Sequence, residues 1–407
     1  MANNHSPSYW IRKKLLRNKP AVGGLIVISI AVLCSLFTFL IIPDATPNIN
    51  DGNLELRKKQ PGFKANLLRI RKNKEVEDVG FFNFLSSGQE SSYLAIPFDS
   101  LVLTNNSGID VYVFEGRGKL VEHFDLVDVF FPVDKEFHFE DKKNYKVENE
   151  QLIFRNVITA KNQSLQLSEV KSRLQDHIEE RTFLLGTDKA GRDLYSRLVY
   201  GTRVSLSIGL IAVSISLVMG VIIGAIGGFF GGWIDEFIVW FITVVWSIPG
   251  IMLVIAISLA LQSKGIWVAF VAVGLTMWVE VARIVRGQIM ELREKPFVEA
   301  AKVLGVSDFR IIFRHILPNI IGPIIVVCTA NFAAAILVEA GLSFLGLGVQ
   351  PPTPSWGMMV HEGYKMMTSE GAWYLLFFPS ISISILVLAF NLLGNGLRDA
   401  FDPKGTH

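Results

Sequence analysis

The chain has 407 residues, of which 50% are hydrophobic and only 19% charged, with a net charge of +2. Soluble domains carry about 25% charged residues, so the balance points to lipid as part of the solvent and gives no reason to expect a nucleic-acid partner. Cys34 and Cys328 lie in apolar runs and read as small buried hydrophobes, and the seven histidines are scattered, so no metal centre, cofactor or nucleophile–base pair is indicated.

A basic tail, residues 1–20 with Arg12, Lys13, Lys14, Arg17 and Lys19, precedes an apolar run at 21–43. A spanning helix needs about 20 apolar residues. This run is longer than the ~7–15-residue core of a signal peptide, and no small-residue cleavage site follows it, so it reads as an uncleaved first span. Residues 44–181 are polar and mixed in charge. Their opening, 57–74, is basic and reads as loosely ordered. Short β-type runs then recur at Leu101–Leu103, Val111–Phe114, Val127–Val133 and Leu152–Ile158, with Asn105-Asn106-Ser107-Gly108, Gly116-Arg117-Gly118 and Asp141-Lys142-Lys143-Asn144 as turns. Ser168–Arg181 reads as a short polar helix.

After an outer segment at 182–203, five further spans are expected at 204–230, 234–261, 265–285, 319–345 and 372–397, with a loop at 286–318 and a tail at 398–407. The fold class is therefore an all-α polytopic membrane protein of six transmembrane helices with an inserted, mostly β extracytoplasmic domain. Lys and Arg concentrate on the cytoplasmic side of a membrane. The N-terminal tail and the loop carrying Arg283, Arg286, Arg293, Lys295, Lys302, Arg310 and Arg314 are both basic. An even number of spans separates them, so both belong in the cytoplasm, with both termini there, and the β-rich insert and residues 346–371 belong outside.

Within the spans, Gly220, Gly224 and Gly228 recur every four residues and form a small-residue face for helix packing. Pro249 should kink the third span, and either a structural kink or a pathway lining follows. Glu339 lies inside the fifth span, where a carboxylate costs about 2.5–3.5 kcal/mol and normally faces a partner or water. A structural or gate-lining role suits it better than a proton relay. Glu280 should snorkel or pair with Arg283. The run Gly186–Asp193 resembles a phosphate loop but has Arg192 for the lysine and Asp193 for the hydroxyl, so it reads as a structural turn with Asp–Arg pairing.

The loop from Lys295 to Pro318 has the grammar of two capped helices. Pro296 suits a first helical position, Glu299 sits near the positive dipole end, Gly305 fits the left-handed position after the helix, Ser307 can cap a second helix, and Pro318 should help to end it. The first helix is about eight residues, or roughly 12 Å. By themselves these residues give a capped surface helix.

Glu299-Ala300-Ala301, then Gly305, then Leu317-Pro318 resembles the EAA loop of ABC importer permeases. His315 replaces the usual aliphatic residue three before the proline, and Arg314-His315-Ile316-Leu317-Pro318-Asn319 is similar to the peptide-transporter branch. The segments Gly186–Asp193, Glu339–Gly357 and Asn391–Pro403 resemble the "C" permease of the dipeptide, oligopeptide and nickel class, so the resemblance runs from about Leu185 to Lys404 and leaves 44–180 unexplained. It implies a type I importer permease in a bacterial inner membrane, with a homologous second permease, two ATPase subunits and an extracytoplasmic solute-binding protein as partners. It implies coupling to the ATPases through Glu299, Ala300, Ala301, Gly305, His315, Leu317 and Pro318, with ATP hydrolysed by the partners, not by this chain. Short peptides are the expected cargo. Nickel or another small solute, or a membrane-anchored receptor whose outer domain binds a ligand, are the alternatives.

Overall fold

A computed structural model describes residues 7–104, 107–113, 121–139, 143–263, 265–368 and 371–402. The chain divides into two compact units. One takes the N-terminal residues as far as Thr38, Leu198–Lys365 and the chain from Leu376. The other takes Phe39–Arg197 and Met366–Leu375.

The chain opens with α1 (Pro7–Arg17), α2 (Lys19–Leu36) and a short α3 (Thr38–Ile41). The α2 helix starts where the sequence allows: Asn18 Oδ1 accepts the Ala21 N–H at 3.2 Å, and Pro20 occupies the first turn. Next come β1 (Phe63–Arg71), α4 (Phe81–Ser87), β2 (Tyr93–Thr104), β3 (Gly108–Val113), β4 (Val121–Asp125) and α5 (Leu126–Phe130). They are followed by β5 (Tyr145–Glu148), β6 (Gln151–Arg155), β7 (Asn162–Gln166), α6 (Leu167–Ser172) and β8 (Ile178–Phe183).

The strands form two antiparallel sheets, ordered β4-β3-β2-β1-β8 and β5-β6-β7. Strand β1 is central, pairing Leu68 with Ile96 of β2 and with Ile178 of β8. Its period of two serves both faces: Ala65 and Leu67 pack with Leu56 and Phe183, while Leu68 and Ile70 join Ile109, Val111, Leu126 and Phe154.

Three expectations for this region are corrected. The stretch 57–74 is not loose, because β1 buries apolar residues on both sides between its charges. Val127–Val133 is not a strand. Its start belongs to α5, which buries Leu126, Val127, Val129 and Phe130, and a short apolar run does not by itself distinguish a strand from a buried helix. The polar helix at Ser168–Arg181 is only α6 and one 3-10 turn, after which β8 pairs with β1. Of the expected turns, Asn105-Asn106, Gly116–Gly118 and Asp141-Lys142 lie outside the described residues.

The remaining helices are α7 (Leu194–Phe230), α8 (Gly232–Ser247), α9 (Gly250–Ala260), α10 (Ile266–Arg293), α11 (Pro296–Val303), α12 (Asp308–Arg310), α13 (Ile321–Phe344), α14 (Trp356–Lys365) and α15 (Tyr374–Phe401). Among the described residues five helical stretches are long and apolar enough to cross a membrane, or six if α8 and α9 form one broken span. Helix α7 begins ten residues before the expected second span. Asp193 caps it by accepting the Ser196 N–H at 2.9 Å, so the pre-span segment is partly helical. Pro318 does not end a helix. The chain winds as α12, a π turn at Ile311–Ile316 and a 3-10 turn at Leu317–Ile320, and continues directly into α13. The wide π turn absorbs the missing proline N–H, and Asn319 Nδ2 donates to the His315 carbonyl at 2.6 Å. The expected outer loop 346–371 holds α14, whose Trp356, Gly357 and Met359 are buried.

Candidate coupling segment and membrane cavity

Helix α11 is eight residues long and is closed at both ends by local chemistry. Pro296 stands in its first turn. At its C-terminus Gly305 has φ +71°, Val306 N–H bonds the Ala301 carbonyl at 3.1 Å, and Gly305 N–H bonds the Lys302 carbonyl at 3.0 Å. This is a Schellman closure, and the left-handed residue it needs is glycine. Ser307 has the extended backbone of a cap, but its side chain makes no capping bond; its carbonyl accepts from Ile311 N–H instead.

The segment has two unlike faces. Val298 and Ala301 are buried with Ala225 and Phe229 of α7, Ile289 of α10 and Ile312 of the π turn. Arg293 Nη1 donates to the Phe229 carbonyl at 3.1 Å, and the Lys302 ammonium lies 5.0 Å from the Phe229 ring centre. The other face is bare: Val303 is 88% exposed, Leu304 81% and Phe309 70%, with Phe297 and Phe313 beside them. Glu299 and Ala300 are exposed, Gly305 and Pro318 likewise, while His315 and Leu317 are half-buried. The coupling candidates therefore divide. Ala301 and Leu317 hold the segment to the spans, and Glu299, Ala300, Gly305 and Pro318 face outward.

Gly220, Gly224 and Gly228 lie along the face of α7 against α10. A Cβ at these positions would stand 2.5 Å from Val281 Cβ, 2.5 Å from the Ala282 carbonyl oxygen and 2.7 Å from the Arg286 carbonyl oxygen. Only glycine permits that approach. Below it, Arg286 holds Asp235 of α8 through two bonds of 2.5 and 2.7 Å.

Pro249 falls at the break between α8 and α9, which meet at 90° within the expected third span. The break opens on a cavity of about 310 Å³ lined by Trp246, Pro249, Gly250, Thr276, Glu280 and Asn331. A neighbouring cavity of about 270 Å³ shares Trp246, Glu280 and Asn331 and adds Arg283 and Arg398. The expected Glu280–Arg283 pairing is absent: the Arg283 guanidinium lies over the Trp246 ring at 3.7 Å, and Glu280 has no ion pair among the described residues. Sequence reasoning passed over Asn331. Its one signal was an amide inside an apolar run, which a bilayer penalises unless it has a use.

Glu339 lines neither cavity, and its contacts fit the structural one of its two expected roles. It is fully buried, and its Oε1 accepts from Ser343 Oγ at 2.7 Å. Ser343 in turn receives the Val349 N–H at 3.1 Å, and α14 packs so closely here that a Cβ on Gly357 would lie 2.6 Å from Ala340 Cα. The carboxylate fastens the C-terminal end of α13 to its own following turn.

In Gly186–Asp193 the anion is supplied from within. Asp188 accepts from Ala190 N–H at 2.8 Å, Arg192 N–H at 3.0 Å and Arg192 Nε at 2.7 Å, and its other ion pair is with Arg197 at 3.0 Å. Gly186 and Gly191, at φ +82° and +74°, let the backbone wrap that carboxylate. The turn thus fills with its own aspartate the place a bound anion would take.

Two family models match. "Binding-protein-dependent transport system inner membrane component" covers residues 217–406, and "N-terminal TM domain of oligopeptide transport permease C" covers residues 8–61. The strands of the described residues, β1 to β8, lie in the stretch between these matches. The dipeptide transport system permease protein DppC of Bacillus subtilis (strain 168) is 45% identical over 219 residues, which is 54% of this chain and 68% of that one. The glutathione transport system permease protein GsiD of Salmonella paratyphi A (strain ATCC 9150 / SARB42) is 47% identical over 219 residues, 54% of this chain and 71% of that one. Among solved structures, the inward-facing MetNI methionine ABC transporter is similar over 51% of this chain and 98% of its own, at 18% identity and a TM-score of 0.43.

Proposed function

Because the chain belongs to the family of binding-protein-dependent inner-membrane transport permeases, we propose that it forms half of the pathway of an ATP-driven importer of short peptides. The other half is a homologous permease. Two ATPase subunits bind beneath the pair, one of them at the α11 segment of this chain, and a solute-binding protein delivers cargo outside. Both termini and α11 then share the cytoplasmic face, and the β-rich unit lies outside. The relatives named for dipeptide and glutathione transport support short peptides over nickel.

The observation that carries this reading is the two-faced α11 segment. Its bare apolar side, Val303, Leu304 and Phe309, suits a cleft on another protein. Its buried side joins the same cluster as the ends of α7 and α10. Displacement of the outer face is therefore handed to the spans, which alternate between inward-open and outward-open forms while the partners hydrolyse ATP.

Uptake of labelled dipeptides by the assembled complex tests the reading. Glu299→Arg and Gly305→Pro should each abolish uptake while membrane insertion persists, and normal uptake by both variants removes the coupling role. Exclusive nickel uptake by the unaltered complex removes the peptide assignment. Failure to co-purify with any ATPase when co-expressed favours the receptor reading. Deleting residues 50–170 tests the β-rich unit: transport at unchanged substrate affinity means that it is not a docking element.

A further inference from the structure

The break between α8 and α9 leaves the Glu280 carboxylate and several hydrogen-bond donors facing a cavity with no partner among the described residues. Helix α9 begins at Gly250, and its cap residue is Pro249, which has no side-chain donor or acceptor. Met252 N–H and Leu253 N–H turn back to the Pro249 carbonyl. Gly250 N–H and Ile251 N–H find no acceptor among the described residues, and both residues line the cavity. An open helix N-terminus carries partial positive charge and attracts anions.

A second observation, on a different helix, points the same way. Asn331 of α13 lines both cavities and is only 2% exposed, and its Nδ2 has no hydrogen-bond partner. Leaving such a donor unmade costs about 1–3 kcal/mol, so an unused one in a cavity wall implies an intermittent acceptor. The third feature has the opposite sign. Glu280 of α10 stands where the two cavities meet, and Arg283 is diverted onto Trp246.

We propose that this junction is a transit subsite for a zwitterionic small molecule, in the assigned case a short peptide. The α9 amides and Asn331 Nδ2 take its carboxylate, and Glu280 takes its ammonium. The inference rests on the peptide reading of the preceding subsection. Its chemistry follows from one acidic and one donor-rich wall around cavities of about 310 and 270 Å³, with Arg283 and Arg398 adding cationic donors for the carboxylate on the side of the second. These sizes are near the lower end of those that hold small ligands. A broken helix presenting its N-terminus to an anionic group within a membrane is an arrangement that transporters can use. Cargo would be held by its charged ends, which all short peptides share, and not by side chains that differ among them.

The test uses the whole complex, with partner permease, ATPases and binding protein, in proteoliposomes. The readout is dipeptide accumulated per ATP hydrolysed. Glu280→Gln, which keeps shape and removes charge, should lower that ratio about tenfold, the worth of one charge-assisted hydrogen bond. Asn331→Asp, which sets a carboxylate against the substrate's own, should lower it by at least as much. Glu280→Asp should recover more than half of the unaltered ratio, a rescue that a purely packing role would not give. Asn331→Leu adds a third arm if it assembles; the other variants decide the matter if it does not. Unaltered ratios in both Glu280→Gln and Asn331→Asp overturn the subsite. A wild-type complex that moves no dipeptide overturns the peptide assignment instead, so the two failures are told apart.

Discussion

Replacing Gly224 by alanine adds one methyl group in the middle of the glycine face that α7 turns to α10. The new Cβ would lie 2.5 Å from the Ala282 carbonyl oxygen and 3.0 Å from Val285 Cβ. An ordinary C···O approach is about 3.4 Å, so the helices must part locally by about 0.9 Å. The obstacle is backbone, which no rotamer change removes. Overpacking of this kind costs about 1–3 kcal/mol, and Gly220 and Gly228 lose part of their own contact one turn away on each side. Gly287 is the control. It lies on α10 with nothing within 4 Å of a built Cβ, so Gly287→Ala should be neutral or stabilising by up to about 1 kcal/mol through helix propensity. Thermal unfolding in lipid nanodiscs reads both variants. A midpoint for Gly224→Ala equal to that of Gly287→Ala would refute close α7–α10 contact as the use of this glycine.

Three further outcomes are expected. Asp188→Asn leaves Arg192 and Arg197 buried around a neutral amide, and it should destabilise that turn by about 3–5 kcal/mol; limited proteolysis between residues 184 and 194 would report it. Val298→Ala removes two methyl groups from a fully buried site and should cost about 1–2 kcal/mol, seen as faster amide exchange confined to residues 296–303. Burial beside Phe130 depresses the His177 pKa below its ordinary value of about 6.5, with the Arg69 charge adding to the effect and Asp176 opposing it. As pH falls through 6.5 the unfolded chain takes up a proton that the folded chain excludes, so the β-rich unit should lose stability from there down to the lowered folded value. His177→Phe should remove that slope, and an unchanged slope in urea titrations at pH 7 and pH 5.5 would count against it.

The spans were legible because hydropathy over about 20 residues is a strong signal and the bilayer leaves few alternatives. The Pro249 break and the Gly305 closure were legible because each residue type allows little else at that point. What failed depended on context. Pro318 looked like a terminator, but the width of the preceding turn, set by packing of Ile311, Ile312 and Ile316, allows a proline to pass. Strand β1 was hidden by Lys64, Arg69 and Arg71, whose charges outweighed the alternation beneath them. Glu339 drew notice as an acid in a span, yet its serine partner stands only one turn away. Asn331 drew none, because what distinguishes it is the empty space beside its amide, and that space is made mostly by residues within 245–254 and 276–280, far from it in the chain.

The bare face of the α11 segment also bears on how the assembly is kept in proportion. Val303, Leu304 and Phe309 are too exposed to be covered by this chain itself, and they lie on the side where, in the proposed assembly, the ATPase docks. A copy made without that partner carries an unsheltered apolar knob into water, which is the feature quality-control proteases and chaperones act on. Docking removes it from view. In that proposed assembly the surface that would receive the power stroke is thus also the one by which an unpartnered copy would be recognised.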